Sequence, residues 1–226
     1  MRRIFRVISI VMLACVLISG CGRIPKEVAE YKEWYEALQI EDRQGFKYGG
    51  FSSDDNHIHL SIECNYNNLG DFAKVVSSHN EFVRQNPDYF PKDTAIYFIS
   101  YYESPTPFLD CYSKPGDYFG EAGGIGIEEN SEIKYISANL FQLEYAYKKY
   151  KNEFSIPVLV LTTDTPENVH AQNLEFLEQF KDLDQIIVNY NALGYDMTPT
   201  LEGINKYAPG VEVYQVVDGG ELQKWQ

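Results

Sequence analysis

The sequence predicts an α/β fold: a compact domain of strand–helix repeats with a largely parallel or mixed sheet, preceded by an N-terminal amphipathic helix. Short apolar runs typical of buried strands alternate with amphipathic helical patterns in the second half of the chain, and the strands recur about every 25 residues. Strand–helix alternation favours right-handed crossovers and parallel pairing. The 226 residues are 44% apolar, which is typical of globular proteins.

The first predicted element is a helix that begins near Pro25, a residue suited to a first helical turn. Its apolar positions recur at intervals of three and four residues, with charges between them: Val28, Tyr31, Tyr35 and Leu38. Residues 41–55 are polar and contain glycines, and they predict a loop.

Residues 57–66 alternate strictly, which predicts a half-buried strand. One face of it would carry Ile58, Leu60, Ile62, Cys64 and Tyr66. A helix is predicted from residue 69 to Pro87, with His79 on its apolar face as a core histidine. Residues 95–102 predict another strand, and the proline- and glycine-containing residues 103–123 predict irregular structure.

The second half predicts a hairpin of residues 125–128 and 133–137, followed by regular alternation. Further strands are expected at 156–161, 185–189 and 211–216. The helices between them are marked by apolar residues at helical spacing: Leu140, Leu143, Tyr147 and Tyr150; Val169, Leu174, Leu177 and Phe180; Leu201, Ile204 and Tyr207. Thr198-Pro199 and Pro209-Gly210 predict the start and the end of the last one.

The recurrence of strands also leaves a leucine-rich-repeat-like solenoid as an alternative fold. The spacing L-x-x-L-x-L-x-x-N is matched by Leu183, Ile186, Val188 and Asn191 after Phe180, and its shorter form by Leu60, Ile62 and Asn65. This stretch resembles a leucine-rich repeat. One full match and one partial match do not make an array, and a compact α/β domain accounts for the same pattern.

The N-terminus carries the three parts of an export signal. Arg2, Arg3 and Arg6 precede an apolar run over residues 7–18, which is shorter than the roughly 20 residues needed to cross a bilayer. The sequence Leu17-Ile18-Ser19-Gly20-Cys21 resembles the lipobox of bacterial lipoproteins. The resemblance implies that residues 1–20 are removed and that Cys21 is acylated, so that the covalent lipid is the only cofactor expected.

The same resemblance sets the expected organisation and location. Residues 21–55 would form a lipidated tether, the amphipathic helix and a loop, and residues 56–226 a single α/β globular domain. The protein would lie in the cell envelope, anchored to the outer face of the cytoplasmic membrane, or to the outer membrane where a cell has two. An ordinary secretory signal cut nearby is the alternative.

The charge of the chain excludes some partners. Removal of residues 1–20 takes away three arginines and no acid, which leaves 16 basic and 33 acidic residues and a net charge of −17. Binding to nucleic acid, or electrostatic attraction to anionic lipid, requires clustered Lys and Arg. The expected contact with the membrane is therefore the lipid, and nucleic acid is not an expected partner.

Two cysteines remain once Cys15 leaves with the signal and Cys21 carries lipid. Cys64 and Cys111 could form a disulfide in an exported protein. However, Cys64 falls in phase with the apolar residues of its strand, so a buried thiol is an equal alternative.

Polar residues follow several predicted strands and define a possible binding edge. Ligands in open α/β sheets bind beyond the carboxyl ends of parallel strands. The residues expected there are Asn139, Asp164, Asn189, Tyr190 and Asn191. For Asp164 the alternative is helix capping, since Pro166 opens the next helix.

His57 and His59 are the candidate metal ligands. Two histidines two residues apart on a strand point the same way, with Glu63 on that face, and zinc needs three or four such ligands. An ordinary polar face is the alternative. The glycine-rich residues 120–126 lack the Lys-Ser/Thr of a phosphate-binding loop and favour turns.

The sequence contains no G-x-S-x-G, H-E-x-x-H or C-x-x-C motif, and no base is placed beside a serine to support nucleophilic catalysis. The function expected is a membrane-anchored lipoprotein with a binding or interaction domain, whose partner is a protein, a glycan or a small molecule. Its binding face would be open and rich in tyrosine and asparagine, in a chain with 18 tyrosines. A cell-envelope hydrolase acting on glycan or peptide is the alternative, and it requires two converging acids or three metal ligands.

Overall fold

A single nine-stranded sheet organises the larger part of the chain in a computed structural model. The structure describes residues 26–39, 46–54, 57–65, 69–91, 94–101, 107–114, 124, 126–127, 130–139, 143, 153–162, 171–189, 198–217 and 221–225. The chain divides into two units, Met1–Ala37 and Leu38–Gln226.

The first unit contains helix α1, Lys26–Ala37, where the sequence predicts a helix. Tyr31 and Tyr35, one turn apart on the predicted apolar face, are buried, and the ring of Tyr31 lies 4.8 Å from that of Trp34. Its exposed face carries the pairs Lys26–Glu30 and Lys32–Glu36 at the favourable i, i+4 spacing.

The strands of the second unit follow one another in the sheet in the order of the chain. They are β1 (Phe46–Asp54), β2 (His57–Asn65), β3 (Ala95–Tyr101), β4 (Pro107–Tyr112), β5 (Tyr135–Asn139), β7 (Val158–Thr162), β9 (Gln185–Asn189), β10 (Glu212–Val216) and β11 (Leu222–Lys224). Two short strands, β6 (Phe154–Ser155) and β8 (Phe180–Lys181), pair separately.

The sheet is mixed and largely parallel, which confirms the predicted fold class. β2, β3, β5, β7, β9 and β10 run in one direction, whereas β1, β4 and β11 are antiparallel to their neighbours. The solenoid alternative required a stack of equivalent units. Among the described elements, the reversed strand β4 interrupts the series and the connections differ in kind, so these elements do not form such a stack.

The helices of this unit are α2 (Leu69–Gln85), a 3₁₀ helix (Ala171–Gln179) and α3 (Thr198–Tyr207). The sequence predicts α2 and α3 correctly, and Gly210 takes the positive φ of 89° that favours glycine after a helix end. The helix predicted over residues 169–180 instead forms a 3₁₀ helix that ends at Gln179. Phe180 lies in β8, where its ring stacks on Phe154 at 5.5 Å. Of residues 140–150 only Leu143 is described, helical and buried.

Two predictions about the first half are wrong because local composition does not reveal strand pairing. Residues 41–55, predicted as a loop, contain β1, whose ladder with β2 runs from Phe46 beside Cys64 to Asp54 beside His57. Residues 103–123, predicted as irregular, contain β4, which begins at Pro107, a position where a strand tolerates proline. The sheet therefore includes residues that the sequence analysis assigned to the loop before the globular domain.

The predicted hairpin pairs β5 with the wrong strand. β5 occurs as predicted, but its antiparallel neighbour is β4, with Cys111 beside Ile136. Gly126 and Ile127, the described residues of the expected partner strand, are not in a strand. β11 was not predicted.

Alternating residues divide the sheet into two buried faces. The helix-side face contains Phe98, which lies 5.2 Å from the His79 ring of α2. The second face carries a cluster of buried side chains: Ala95, Tyr97, Tyr112, Tyr135, Val158, Val160, Ile187 and Tyr214. Both faces are therefore covered, as is usual for sheets with buried parallel strands.

The last turns of α2 hold the segment that leads into β5. Asn80 donates from Nδ2 to the carbonyl oxygen of Ile133 at 2.9 Å and accepts from the Ile133 N–H at 2.7 Å. His79 donates from Nε2 to the carbonyl oxygen of Ser131 at 2.7 Å. Arg84 forms an ion pair with Glu132, with 2.8 Å between Nε of Arg84 and Oε2 of Glu132. The segment 131–133 is thus bound residue by residue to a helix about 50 positions earlier.

Replacement of Asn80 by alanine should destabilise the protein strongly. The change leaves the N–H and C=O of a buried residue without their partner, and each unsatisfied group costs about 1–3 kcal/mol. We expect the free energy of unfolding to fall by about 2–4 kcal/mol in urea denaturation. Asn86→Ala is the control, because Asn86 is exposed and its side chain donates to the carbonyl oxygen of Phe82 in the last turn of α2. A loss as small as that of the control would contradict the assignment.

Candidate functional site

Three polar residues occupy neighbouring positions at the carboxyl ends of β5, β7 and β9. Asn139 lies beside Thr162 in the ladder, and Thr162 lies beside Asn189. Thr162 and Asn189 are half-buried. In an open sheet this is the edge at which ligands bind. We call Asn139, Thr162 and Asn189 the carboxyl edge.

The carboxyl edge contains two of the five residues predicted for it, Asn139 and Asn189. Thr162, which the sequence reasoning passed over in favour of the residues after it, joins the two. Asp164, Tyr190 and Asn191 lie outside the described residues, so their part in binding stays a prediction.

A buried carboxyl group lies one row inward from the carboxyl edge. Asp110 on β4 is the ladder partner of Ser137 on β5, and Ser137 is followed two residues later by Asn139. The Oδ1 atom of Asp110 is buried and has no hydrogen-bond partner among the described residues, and Ser137 is also buried. Asp110 and Ser137 therefore extend the polar edge into the interior.

The surroundings of Asp110 change its acidity. Burial disfavours the charged form and raises the pKa of Asp110 from 3.8 to about 7. The neighbouring Tyr112 has a raised pKa, mainly through burial and further through Tyr135 and Asp110. Asp110 is thus a carboxyl group that can hold or release a proton near neutral pH, which is the requirement for a general acid or base.

The tyrosines next to this site belong to the core. Tyr97, Tyr112 and Tyr135 are ladder neighbours on three strands of the second face, and each is 9% exposed or less. The rings of Tyr112 and Tyr135 stack at 5.1 Å with an interplanar angle of 5°. Cross-strand aromatic pairing buries these three tyrosines, so they are not part of an open binding face. The open face rich in tyrosine and asparagine stays a prediction.

The glycine-rich segment has a packing role at Gly124. A Cβ at this position would lie 2.7 Å from Cγ1 of Ile127, 2.9 Å from Oε1 of Gln185 and 3.1 Å from Cγ2 of Val158. A side chain at this position would therefore have to displace the side chains of Ile127 and Gln185 beside Val158 of the second face. The close approach supports the structural interpretation of this glycine over phosphate binding.

The structure places the backbones of the candidate metal ligands His57 and His59 on β2. His57 lies beside Asp54 and His59 beside Ser52 and Ala95 in the backbone ladders; their side chains are outside the described part. Within the described residues, no group of three or more His, Cys, Asp or Glu is placed to hold a metal. The metal site stays a prediction.

The two cysteines lie too far apart for a disulfide. Cys64 is beside Ser100 of β3, and Cys111 is beside Phe98 of the same strand from its other side. Two strand spacings separate the backbones by about 9.5 Å, beyond the roughly 7 Å limit between Cα atoms. Of the two alternatives, the sheet favours the buried thiol, and Cys111 is fully buried.

The lipidation residue Cys21 lies outside the described residues. Among the helices that the structure does describe, none is both long and apolar enough to span a bilayer.

Comparisons with protein families, with curated proteins and with solved structures found no match for this chain. The function must therefore be argued from the site and the sequence.

Sequence reasoning missed Asp110, although a signal was present. The stretch Leu109-Asp110-Cys111-Tyr112 alternates, and its single acid falls on the phase shared with Tyr112. The neighbouring prolines and glycines led to the prediction of irregular structure, and an acid in a loop is expected to be solvated.

Replacement of Asp110 by asparagine should make the protein relatively more stable at high pH. The folded protein keeps the Asp110 proton up to about pH 7, whereas the unfolded chain loses it near 3.8, so the wild type loses stability as pH rises between these values. The difference in unfolding free energy, variant minus wild type, should grow by about 1.4 kcal/mol per pH unit from pH 4 to 7.

The unfolding free energy of the variant must be compared with that of the wild type at each pH, because a second group gives the stability the opposite pH dependence. Burial lowers the pKa of His79 from 6.5 to about 4, so stability falls as pH decreases through that window. The two slopes offset each other in the wild type. Asp88→Asn, at an exposed turn, controls for the loss of one charge. A difference for Asp110→Asn that does not vary with pH would refute the assignment.

Proposed function

We propose that the protein is an envelope lipoprotein anchored through acylated Cys21, and that its sheet domain binds a ligand at the carboxyl edge. The lipobox-like sequence supports the anchor. The adjacency of Asn139, Thr162 and Asn189 supports the binding site, and it is the single observation on which the binding proposal rests.

A lipid anchor fits the charge of the chain. The net charge of −17 after removal of residues 1–20 repels an anionic membrane surface. Each buried methylene of an acyl chain contributes about 0.8 kcal/mol, and stable anchoring needs more than one chain. The diacylglycerol implied by the lipobox resemblance supplies two.

The chemistry of the carboxyl edge favours an uncharged polar ligand. Amide and hydroxyl side chains both donate and accept hydrogen bonds, and the three residues bring no cation to attract an anion. Asp110 and Ser137 add hydrogen-bonding capacity one row inward. Hydroxyl and amide groups of this kind occur together in the glycans and peptides of an envelope.

Hydrolysis of such a ligand is the second candidate function, and Asp110 is the observation that favours it. A carboxyl group with a pKa of about 7 beside a serine can serve as a general acid or base. Hydrolysis by paired carboxylates needs a second acid opposite the first. Burial alone raises the pKa of Asp110, and no coupled carboxylate contributes to it among the described residues.

Replacement of Cys21 by serine should release the protein from the membrane. Serine cannot form the thioether of a lipoprotein, so the full chain expressed in a bacterial host should lose acyl labelling and leave the membrane pellet. Cys15→Ser is the matched control and should keep both properties. Persistent acyl labelling and sedimentation of the Cys21 variant would contradict the anchor.

A ligand of the carboxyl edge should raise the unfolding temperature in a way that depends on Asn189. The full chain in non-ionic detergent would be screened against N-acetylated glycan fragments and short peptides. A ligand at 100 times its dissociation constant adds about 2.7 kcal/mol, which shifts the midpoint by several degrees. Asn189→Ala should abolish the shift, and Asn205→Ala on the exposed side of α3 should retain it.

The same samples distinguish binding from hydrolysis. Mass spectrometry of the bound ligand should show it intact if the domain only binds. Cleavage that Asp110→Asn abolishes would establish the hydrolase instead. If the ligand raises the unfolding temperature of Asn189→Ala as much as that of the wild type, the ligand does not bind at the carboxyl edge.

A further inference from the structure

The polar residues of the candidate site share the second face of the sheet. Residues two apart on a strand point to the same face. Four polar residues each lie two positions from a member of the buried cluster, on β4, β5, β7 and β9 respectively: Asp110, Ser137, Thr162 and Asn189. Exposure rises toward the carboxyl ends, since Val160 and Ile187 are buried whereas Thr162 and Asn189 are half-buried. A ligand at the carboxyl edge therefore approaches Asp110 along one face of the sheet.

Asp110 is a carboxyl group without a counter-charge in the described part of the chain. Its Oδ1 atom is buried with no hydrogen-bond partner there, and no ion pair of the described residues includes it. Burial of an ionised carboxylate under these conditions is costly, so the group is held neutral. The raised pKa of about 7 agrees with this environment. A neutral carboxyl group carries an O–H, which makes Asp110 a hydrogen-bond donor.

The titratable groups next to Asp110 on this face are tyrosines. They are Tyr97 of β3, Tyr112 of β4 and Tyr135 of β5, and tyrosine is uncharged at neutral pH. The next acid along the ladder row of Asp110 is Glu63, whose backbone lies two strands away on β2. Asp110 is therefore the group of this tyrosine-lined site that changes charge near pH 7.

A neutral O–H donor recognises an acceptor, and on an uncharged sugar the carbonyl acceptor is an acetamido group. The hydroxyl and amide of Thr162 and Asn189 both donate and accept, which suits ring hydroxyls. Peptide backbones are captured mainly by addition to a sheet edge, whereas these residues lie across the face of the sheet. Strand spacing and rise place the Cα atoms of Asp110 and Thr162 about 12 Å apart, a distance that a short oligosaccharide spans.

We propose that the carboxyl edge selects N-acetylated sugars, with Asp110 donating a hydrogen bond to the acetamido carbonyl oxygen and with Thr162 and Asn189 bonding ring hydroxyls. This inference rests on the proposed function, because it places the ligand at the carboxyl edge. The two residues have separable roles. Asn189 holds the ligand whatever its substituents, whereas Asp110 determines which sugar is preferred.

Three trimers with the same β-1,4 linkage test the preference by titration calorimetry, with the full chain in non-ionic detergent at about pH 6. They are tri-N-acetylchitotriose, cellotriose and de-N-acetylated chitotriose, which carry an acetamido, a hydroxyl or an ammonium group at the same ring position. We expect the acetylated trimer to bind about tenfold more tightly than cellotriose, because one hydrogen bond contributes about that factor. Tightest binding of the ammonium trimer, in a form that Asn189→Ala weakens, would overturn the inference, since it requires an ionised Asp110.

Variants of Asp110 separate a donor from a structural role. In the wild type the preference should shrink between pH 6 and pH 8, because Asp110 loses its proton near pH 7. Asp110→Asn keeps an N–H donor that does not titrate, so the preference should persist at pH 8. Asp110→Leu has no donor and should lose the preference at both pH values, with a cooperative melting transition as the evidence that it is folded. Asp88→Asn, at an exposed turn, controls for the loss of one charge.

The outcomes distinguish failure of the inference from failure of the proposed function. Equal binding of the acetylated trimer and cellotriose, with both weakened by Asn189→Ala, would overturn the inference and leave binding at the carboxyl edge intact. A preference that persists in Asp110→Leu would do the same. Binding that Asn189→Ala leaves unchanged would contradict the proposed function and the inference together. If no trimer binds, the inference is wrong, and only the peptides of the earlier screen remain for the carboxyl edge.

Discussion

The attachment of α2 to residues 131–133 is the constraint on which the rest of the sheet depends. α2 connects β2 to β3, and its last turns hold Ser131 and Ile133 through the side chains of His79 and Asn80. The next residues form β5, which joins the first four strands to the parallel series β7, β9 and β10. Buried hydrogen bonds to the backbone fix position more strictly than apolar packing, because a shift leaves polar groups unpaired. One helix therefore sets the register between the two halves.

The candidate site follows from that register. β5 carries Ser137, which lies between Asp110 of β4 and Val160 of β7, and Asn139, which lies beside Thr162 of β7. A slip of β5 by one residue would move Ser137 to the helix-side face and leave Asp110 beside an apolar residue. The proposed binding site thus depends on the placement of a five-residue strand.

The sequence predicted the elements whose signal is local. The alternation of residues 57–66, the apolar runs that became β7 and β9, and the capped helix 198–207 all appear as expected. β1 and β4 were missed because glycines and prolines mask their pattern and because pairing with β2 and β3 is a long-range effect. The edge residues Asn139 and Asn189 could be predicted, because they follow strands whose signal is local. The strand that carries Asp110 had a local signal in its alternation, but the adjacency of Asp110 to Ser137 could not be predicted, since it requires knowing which strands pair.

The measurement that tests this account most directly is native-state hydrogen exchange at the amide of Ile133. This N–H lies outside any strand and donates to the Asn80 side chain at 2.7 Å. If α2 fixes the entry to β5, the amide should exchange only through global unfolding, with the protection measured for the central strand β7. Exchange of Ile133 at the rate of an ordinary loop amide, while β7 stays protected, would show that the attachment opens locally. The register of β5 would then have to be set by the sheet alone.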